Sequence, residues 1–235
     1  RITRVHLEED TGSLLHDAEG NSLVDYNRAG IPLMELVTEP DLRNAREARE
    51  TAEELRLIFQ YVGASHARME RGEMRIEANI SIRLVGEEKF GTKVEIKNIN
   101  SFKSVEKAIE YEIKRQEELL ESGGIVEQQT RGWDEVRSET ILQRKKESAH
   151  DYRYFPEPDL PPQDLTSLRE VLRHTLPELP QQKRNRFRQE FGLDSEAVEV
   201  FIHNRKMAEF FENSVSELKE WTSVDGVKDK ITVYK

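Results

Sequence analysis

The stretch "VHLEEDTGS", residues 5–13, places a histidine and three acids between His6 and Asp10. In an extended chain Arg4, His6 and Glu8 face one side, and Val5, Leu7 and Glu9 the other. Glu9 then occupies a position where the alternation calls for an apolar residue. "GIPLMELVTEPD", residues 30–41, repeats the anomaly, with Glu35 on the face of Leu33 and Val37. A carboxylate on an apolar face loses hydration worth several kcal/mol unless a basic partner, a proton or a metal ion compensates. Two such carboxylates from separate segments suit Mg²⁺, which takes one or two protein carboxylates and leaves room for substrate phosphates. The alternative is an ion pair of Glu35 with Arg28 or Arg43, with Glu9 in a solvated turn. His6 reads as a hydrogen-bonded strand histidine rather than a ligand.

Two further stretches carry polar groups in useful patterns. In "MRIEANISIRL", residues 74–84, apolar residues alternate with Arg75, Glu77, Asn79, Ser81 and Arg83. In "KFGTKVEIKNIN", residues 89–100, Phe90, Val94 and Ile96 alternate with Lys93, Glu95 and Lys97. Paired as a hairpin around Gly86, these strands give one charged face. It leads through Asn98, Asn100 and Ser101 into a helix start whose free N–H groups suit a phosphate. That face is either a site floor or an ordinary solvated sheet surface. In "TILQRKKESAHDYRYFPEPD", residues 140–159, Arg144, Lys145, Lys146 and Arg153 lie among Tyr152, Tyr154 and Phe155. Such interleaving binds phosphate and stacks on a base or ribose, unless the aromatics pack back on the core. The candidate catalytic residues are therefore Glu77, Asn79, Lys97, Asn98, Arg144 and Arg153. The candidate nucleotide-binding residues are Arg75, Arg83, Asn100 and Tyr152. There is no Walker A motif and no G-x-G-x-x-G.

The elements that must position these groups are legible in outline. Asn44 or Asp41 caps a helix running through Val62, stopped by Gly63. Asn100 or Ser101 caps a second, to Glu121, with Val105, Ala108, Ile109, Ile113 and Leu120 as its stripe. Strands are expected around Thr130–Trp133 and Thr140–Gln143. The prolines of "FPEPDLPP" exclude a helix at residues 155–162 and predict an ordered loop. Beyond it lie a basic helix within Leu176–Phe191 and one capped by Asp194, with a stripe from Ala197 to Phe211. The expected organisation is an α+β domain with an antiparallel sheet over residues 1–165 and the start of a helical one over 166–235.

The 235 residues are 36% hydrophobic and 35% charged, so a core of moderate size is expected. Mean hydropathy is −0.76, and no apolar run is long enough to cross a bilayer, so no membrane association is expected. The net charge of −10 argues against a general nucleic-acid-binding surface but fits carboxylates gathered around a cation. Cysteine is absent, which removes disulfides, thiolate-held zinc and a cysteine nucleophile from these residues, and agrees with a cytoplasmic location. The chain enters in mid-element, and its last residues begin something they do not complete; it reads as a piece of a longer protein.

Taken in order, "RVHLEEDTGSLLHD", "SLVDYNRAGIPLMELVTEPDLRNAREA", "GEMRIEANISIR", "FGTKVEIKNINSFKSVEKAIEYEIKRQ", "QQTRGWDE" and "DYRYFPEPDLPP" resemble the B subunits of tRNA-dependent amidotransferases. The archaeal paralogue of that subunit shares many of these motifs. The resemblance is dense over residues 1–162 and looser from Leu176 to Lys235. It implies a cradle-like catalytic domain similar to that of glutamine synthetase. It implies conversion of Glu-tRNA(Gln) or Asp-tRNA(Asn) to the amidated form, with ATP and Mg²⁺ as cofactors. Implied partners are a glutaminase (A) subunit that channels ammonia, a small C subunit and the misacylated tRNA. Carried over residue by residue, the second glutamate of H-x-E-E-D falls on Glu9 and that of P-L-x-E on Glu35, both part of the family's Mg²⁺ site. Further ligands belong to a segment upstream of this sequence. One departure is Ile76-Glu77, where many members carry Cys-Asp. The competing reading is a non-catalytic module that docks tRNA or a partner subunit, using Lys183, Arg184, Arg186 and Arg188.

Overall fold

A computed structural model of the chain describes residues 1–17, 19–145 and 161–224, and it falls into two compact units, Arg1–Ala48 and Arg49–Lys235. Phe155, Arg153, Tyr152, Tyr154 and Lys146, singled out above, lie outside the described residues, as does most of the proline-rich stretch.

The first unit contains two antiparallel ribbons. Strand β1 (Ile2–Glu9) pairs with β4 (Pro32–Thr38), and β2 (Ser13–His16) pairs with β3 (Ser22–Asp25). Neither ribbon builds a core of its own. Among the described residues of this unit only Asp10 and Ala45 are buried. Gly20, with φ +85°, provides the left-handed residue that the tight β2–β3 connection requires.

The second unit is organised around a four-stranded sheet of order β5-β6-β7-β8, formed by β5 (Ile76–Ile80), β6 (Val94–Ile99), β7 (Gln129–Asp134) and β8 (Glu139–Lys145). The α+β class is the one expected. The sheet departs from an all-antiparallel one at its centre, because β6 and β7 run parallel. The cause is their connection: helix α2 (Phe102–Glu121) crosses between them, and a long helical crossover returns the chain in the same direction. The β5–β6 hairpin forms, with Ala78 opposite Ile96 and Asn79 opposite Glu95. Its strands are shorter than the alternation alone predicts. Gly91 passes so close to the Ile82 carbonyl that a Cβ there would collide with it, so the chain has left the ladder by that point.

Helix α2 begins where Ser101 accepts the Ser104 N–H at 3.0 Å. It sets Val105, Ala108 and Ile109 over Ala78, Ile80, Val94 and Ile96, all buried. Each valine or isoleucine among them removed from water stabilises by about 1.5–3 kcal/mol, and each alanine by less. Packing α2 on one face leaves the opposite face of the sheet for polar residues.

Helix α1 (Ala45–Tyr61) is capped by Asn44, whose Oδ1 accepts the Glu47 N–H at 2.8 Å. Its second half belongs to the helical part of this unit. Leu57 joins a buried cluster with Phe187, Phe191, Val198, Ile202, Ala208 and Val215. These come from α4 (Pro180–Phe191), α5 (Ser195–His203) and α6 (Arg205–Val224), which follow α3 (Thr166–Thr175). The stripe from Ala197 to Phe211 is divided between two helices. Asn204 ends α5, then caps α6 by accepting the Met207 N–H at 3.1 Å. A short amide side chain that competes for backbone hydrogen bonds favours such a break. No helix among the described residues is long and apolar enough to cross a membrane.

Candidate active site

The sheet face away from α2 gathers the charged residues expected of the hairpin. Lys97 of β6 donates to Glu77 of β5 at 2.9 Å and lies 3.8 Å from Glu95. Glu95 in turn accepts the Thr130 hydroxyl of β7 at 2.8 Å. These contacts follow from the register: Glu95 is opposite Thr130 and Lys97 opposite Gly132 across the parallel pair. Arg144 of β8 stands opposite Thr130 and is near enough to act on the charge of Lys97. Partial burial by itself would lower the Lys97 pKa. The Glu77 hydrogen bond and the charges of Glu77 and Glu95 more than offset this, and the pKa lies above the ordinary lysine value. Lys97 is therefore an ammonium near neutral pH. A charged ammonium is suited to opposing negative charge and not to accepting a proton. Glu95 and Thr130, which fix it, are not among the catalytic or binding candidates read from the sequence, although the alternation that marks Lys97 also marks Glu95.

The other candidates divide. Asn79 is exposed beside this cluster, opposite Glu95. Asn98 lies at the end of β6 with φ +62° and donates to the Trp133 carbonyl at 3.0 Å. Asn100 Nδ2 donates to Asn98 Oδ1 at 3.5 Å. Arg75 is exposed just ahead of β5. Arg83 is turned into its own loop, donating to the Glu88 carbonyl and lying 4.6 Å from the centre of the Phe90 ring. Arg153 and Tyr152 fall outside the described residues.

The first unit corrects an expectation. Glu9 and Glu35 do not converge in an apolar recess. Glu35 is opposite His6 and Glu9 opposite Pro32, so the pleat turns the two carboxylates to opposite faces of the β1–β4 ribbon, and both are exposed. Glu9 lies over Gly30, where a Cβ would stand 3.7 Å from its Oε1. The acid that shares a face with Glu35 is Glu8. Desolvation first, then the neighbouring Glu35 carboxyl, raises the Glu8 pKa above the ordinary glutamate value. His6, on that same face, accepts from Arg4 Nε at 2.6 Å. Arg28 pairs with Asp10 at 2.7 Å rather than with Glu35, and Arg43 donates to the Pro40 carbonyl. Asp10 also accepts the Gly12 N–H, and its backbone bonds to Gly30 and Ile31. It locks the turn that carries Glu9 to the start of β4.

Among the described residues no group of three or more His, Asp or Glu side chains is placed to hold a metal ion. Glu9 and Glu35, the two carboxylates that the family pattern assigns to Mg²⁺, lie on opposite faces of the ribbon and do not form a two-carboxylate site with each other. The Glu8–Glu35 contact is measurable directly. In a carboxyl-carbon NMR titration, Glu8 titrates above the ordinary glutamate midpoint, and Glu35→Gln brings that midpoint down. A Glu8 midpoint unmoved by Glu35→Gln would remove the contact.

The basic helix α4 is also corrected. Lys183 pairs with Glu212 at 2.9 Å, Arg184 with Glu54 and Glu199 at 2.8 Å each, and Arg186 with Glu178 at 2.7 Å and with Glu212. Three of the four cations proposed for tRNA are already neutralised by acids of the same unit. Their alignment on one helix reflects internal pairing, not a free phosphate-binding surface.

A sheet with a polar, cation-bearing face and a helix-backed core now has a family. The model described as the GatB/GatE catalytic domain matches residues 1–169, and the chain belongs to that family. Among curated relatives, the B subunit of the aspartyl/glutamyl-tRNA(Asn/Gln) amidotransferase from Carboxydothermus hydrogenoformans is 52% identical over 221 residues, covering 91% of this chain and 45% of its own. The proteins of the same name from Caldicellulosiruptor saccharolyticus and Bacillus velezensis are each 51% identical, covering 91% and 92% of this chain. The chain spans a little under half the length of these relatives.

Proposed function

We propose that the chain is the catalytic-domain part of an amidotransferase subunit that converts the free side-chain carboxylate of an amino acid esterified to tRNA through its α-carboxyl, as in Glu-tRNA(Gln) or Asp-tRNA(Asn), into the amide. The observation that carries this reading is the family membership, together with a sheet face that holds a fixed ammonium among acids. The chemistry needs such a group. A carboxylate is a poor electrophile for ammonia. Transfer of the γ-phosphoryl group of ATP to a carboxylate oxygen, releasing ADP, gives an acyl phosphate. Ammonia then attacks its carbonyl carbon, phosphate leaves with the C–O bonding pair, and a proton lost from nitrogen completes the amide.

In this reading Lys97, held by Glu77 and Glu95, opposes the charge that builds on the transferring phosphoryl oxygens, and Arg144 adds a second cation. Glu77 carries the role that many family members give to an aspartate, and here it reaches Lys97 directly. This reading puts ATP on this face. No step is routed through Mg²⁺, which the family pattern implies at Glu9 and Glu35. A glutaminase (A) subunit supplying ammonia and a small C subunit are the proposed partners, the cytoplasm the proposed compartment, and the helices from residue 166 onward the proposed start of a helical domain. The internal pairing of Lys183, Arg184 and Arg186 favours catalysis over a docking module.

The test uses the full-length protein assembled with its partner subunits. With misacylated tRNA, glutamine and ATP, amidated aminoacyl-tRNA accumulates with stoichiometric ADP, and omission of ATP stops it. tRNA binding without ATP-dependent amide formation would overturn the reading in favour of the docking module.

A further inference from the structure

A row of side chains crosses all four strands on the open face of the sheet. Asn79 of β5 is opposite Glu95 of β6, Glu95 opposite Thr130 of β7, and Thr130 opposite Arg144 of β8. Thr130 is the buried member of that row. We propose that it is a positioning residue for the amidation reaction: by holding one oxygen of Glu95, it sets where the Lys97 ammonium stands. This assignment rests on the reading of Lys97 as the cation that opposes phosphoryl charge.

Valine has nearly the shape of threonine and buries without loss, whereas a hydroxyl gives up hydration and needs a partner. The Thr130 hydroxyl donates to Glu95 Oε2 at 2.8 Å. A hydroxyl donated to a carboxylate makes a charge-assisted bond, stronger than one between neutral groups. That bond divides the work of the carboxylate. Oε2 is held by Thr130, and Oε1 is the oxygen that lies 3.8 Å from Lys97 Nζ. Such a separation is too long for a hydrogen bond, so Glu95 acts on Lys97 through its charge. The direct bond of Lys97 is to Glu77 Oε1, at 2.9 Å. The ammonium is thus placed by a short contact from β5 and by a charge whose position β7 decides.

Arg144 gives the hydroxyl its consequence. It stands across Thr130 from Glu95 and carries the opposite charge. With valine in place of threonine, Oε2 loses a fixed donor. Glu95 then turns toward Arg144, or closes on Lys97 and draws it from Glu77. Either movement shifts a cation that must face the charge developing on the phosphoryl oxygens. A misplacement of about 1 Å at a reacting centre can cost about 10²-fold in rate. Thr130 is buried and so is not offered to ATP or tRNA; its loss lowers turnover rather than binding.

Amide formation by the full-length protein, assembled with its partner subunits, provides the test. Thr130→Val is expected to lower kcat about five- to ten-fold, with KM for ATP and for misacylated tRNA changed by no more than about two-fold. Thr130→Ser, which keeps the hydroxyl, holds kcat within about two-fold of wild type. Adding Thr130→Val to Lys97→Met changes kcat by less than about two-fold, because Thr130 acts through the lysine. A role confined to the fold would instead lower activity equally in both backgrounds. Should Thr130→Val not fold, Thr130→Ala, which cannot crowd the site, repeats the same cycle. Three results would overturn the assignment: wild-type kcat in Thr130→Val, a loss in Thr130→Ser as large as in the valine variant, or equal losses with and without Lys97. Lys97→Met without effect on amide formation removes the lysine itself, and Thr130 with it. The single lysine variant thus tells failure of the Lys97 reading from failure of Thr130 alone.

Discussion

Glu112→Ala destabilises the chain by about 3–5 kcal/mol, because it leaves buried guanidinium charge without its counter-ion. Glu112 lies on α2 beneath the sheet and is fully buried. It accepts from Arg115 Nε at 2.9 Å and Nη2 at 2.6 Å, from Gln116 Nε2 at 2.9 Å and from the Thr140 hydroxyl at 3.1 Å. Arg131 of β7 is 3.6 Å away, and it also donates to Thr140. One carboxylate thus separates two arginines and ties the helix to both β7 and β8. Without it, desolvation and the charge of Arg115, both of which already lower the Arg131 pKa, act unopposed by Glu112. Glu112→Gln keeps the shape and loses the charge, so it also destabilises, by less. The double variant Glu112→Met with Arg131→Met removes both members of the pair across the helix–sheet interface and recovers part of the loss, because a charge is no longer stranded. Urea unfolding checks this order: Glu112→Ala least stable, the double variant above it, wild type highest. A single variant within 1 kcal/mol of wild type would show that water reaches the network.

The sequence disclosed the parts of the fold that local chemistry decides. Helix α2 is announced by Ser101 and by the spacing of Val105, Ala108 and Ile109, and the β5–β6 hairpin by the alternation from Ile76 to Ile80 and from Val94 to Lys97. Pairing between distant segments was less legible. Alternation says which residues of one strand share a face; it does not say which face meets which across a ribbon. Glu9 and Glu35 each break an apolar pattern, yet the β1–β4 register places His6 opposite Glu35, and one residue of register decides that Glu8 rather than Glu9 is its neighbour. The parallel β6–β7 pair was signalled by the helix between the strands, a pattern that requires reading three elements together. The cations of α4 illustrate a different limit. Lys183, Arg184 and Arg186 look like a nucleic-acid stripe in one dimension, and only the packing of α1, α5 and α6 shows Glu54, Glu199 and Glu212 against them. The Lys97 cluster was half visible for the same reason. Its own hairpin supplies Glu77 and Glu95, whereas Thr130 and Arg144 arrive from strands more than 30 residues later.

Lys97→Met lowers kcat/KM for amide formation by about 10²–10³, the cost of removing one preorganised charge from a developing oxyanion. The side chain is on the open sheet face and half exposed, so the substitution changes stability by no more than about 0.5 kcal/mol, and lost activity does not reflect lost fold. Because Glu77 and Glu95 hold Lys97 in its charged form, the wild-type rate shows no ionisation from Lys97 between pH 6 and 9. That separates an electrostatic lysine from a general base, whose activity would rise with pH as the amine deprotonates. Glu77→Gln is the companion measurement. It removes the 2.9 Å ion pair and one of the charges that raise the Lys97 pKa, so that pKa falls toward the ordinary lysine value and the upper edge of the pH–rate profile moves to lower pH. Lys97→Arg tests geometry rather than charge. A planar fork in place of a compact ammonium keeps the positive charge but misplaces it, so kcat falls more than KM rises. Lys97→Met retaining activity within three-fold of wild type would remove the lysine from the mechanism and leave Arg144 as the cation on this face.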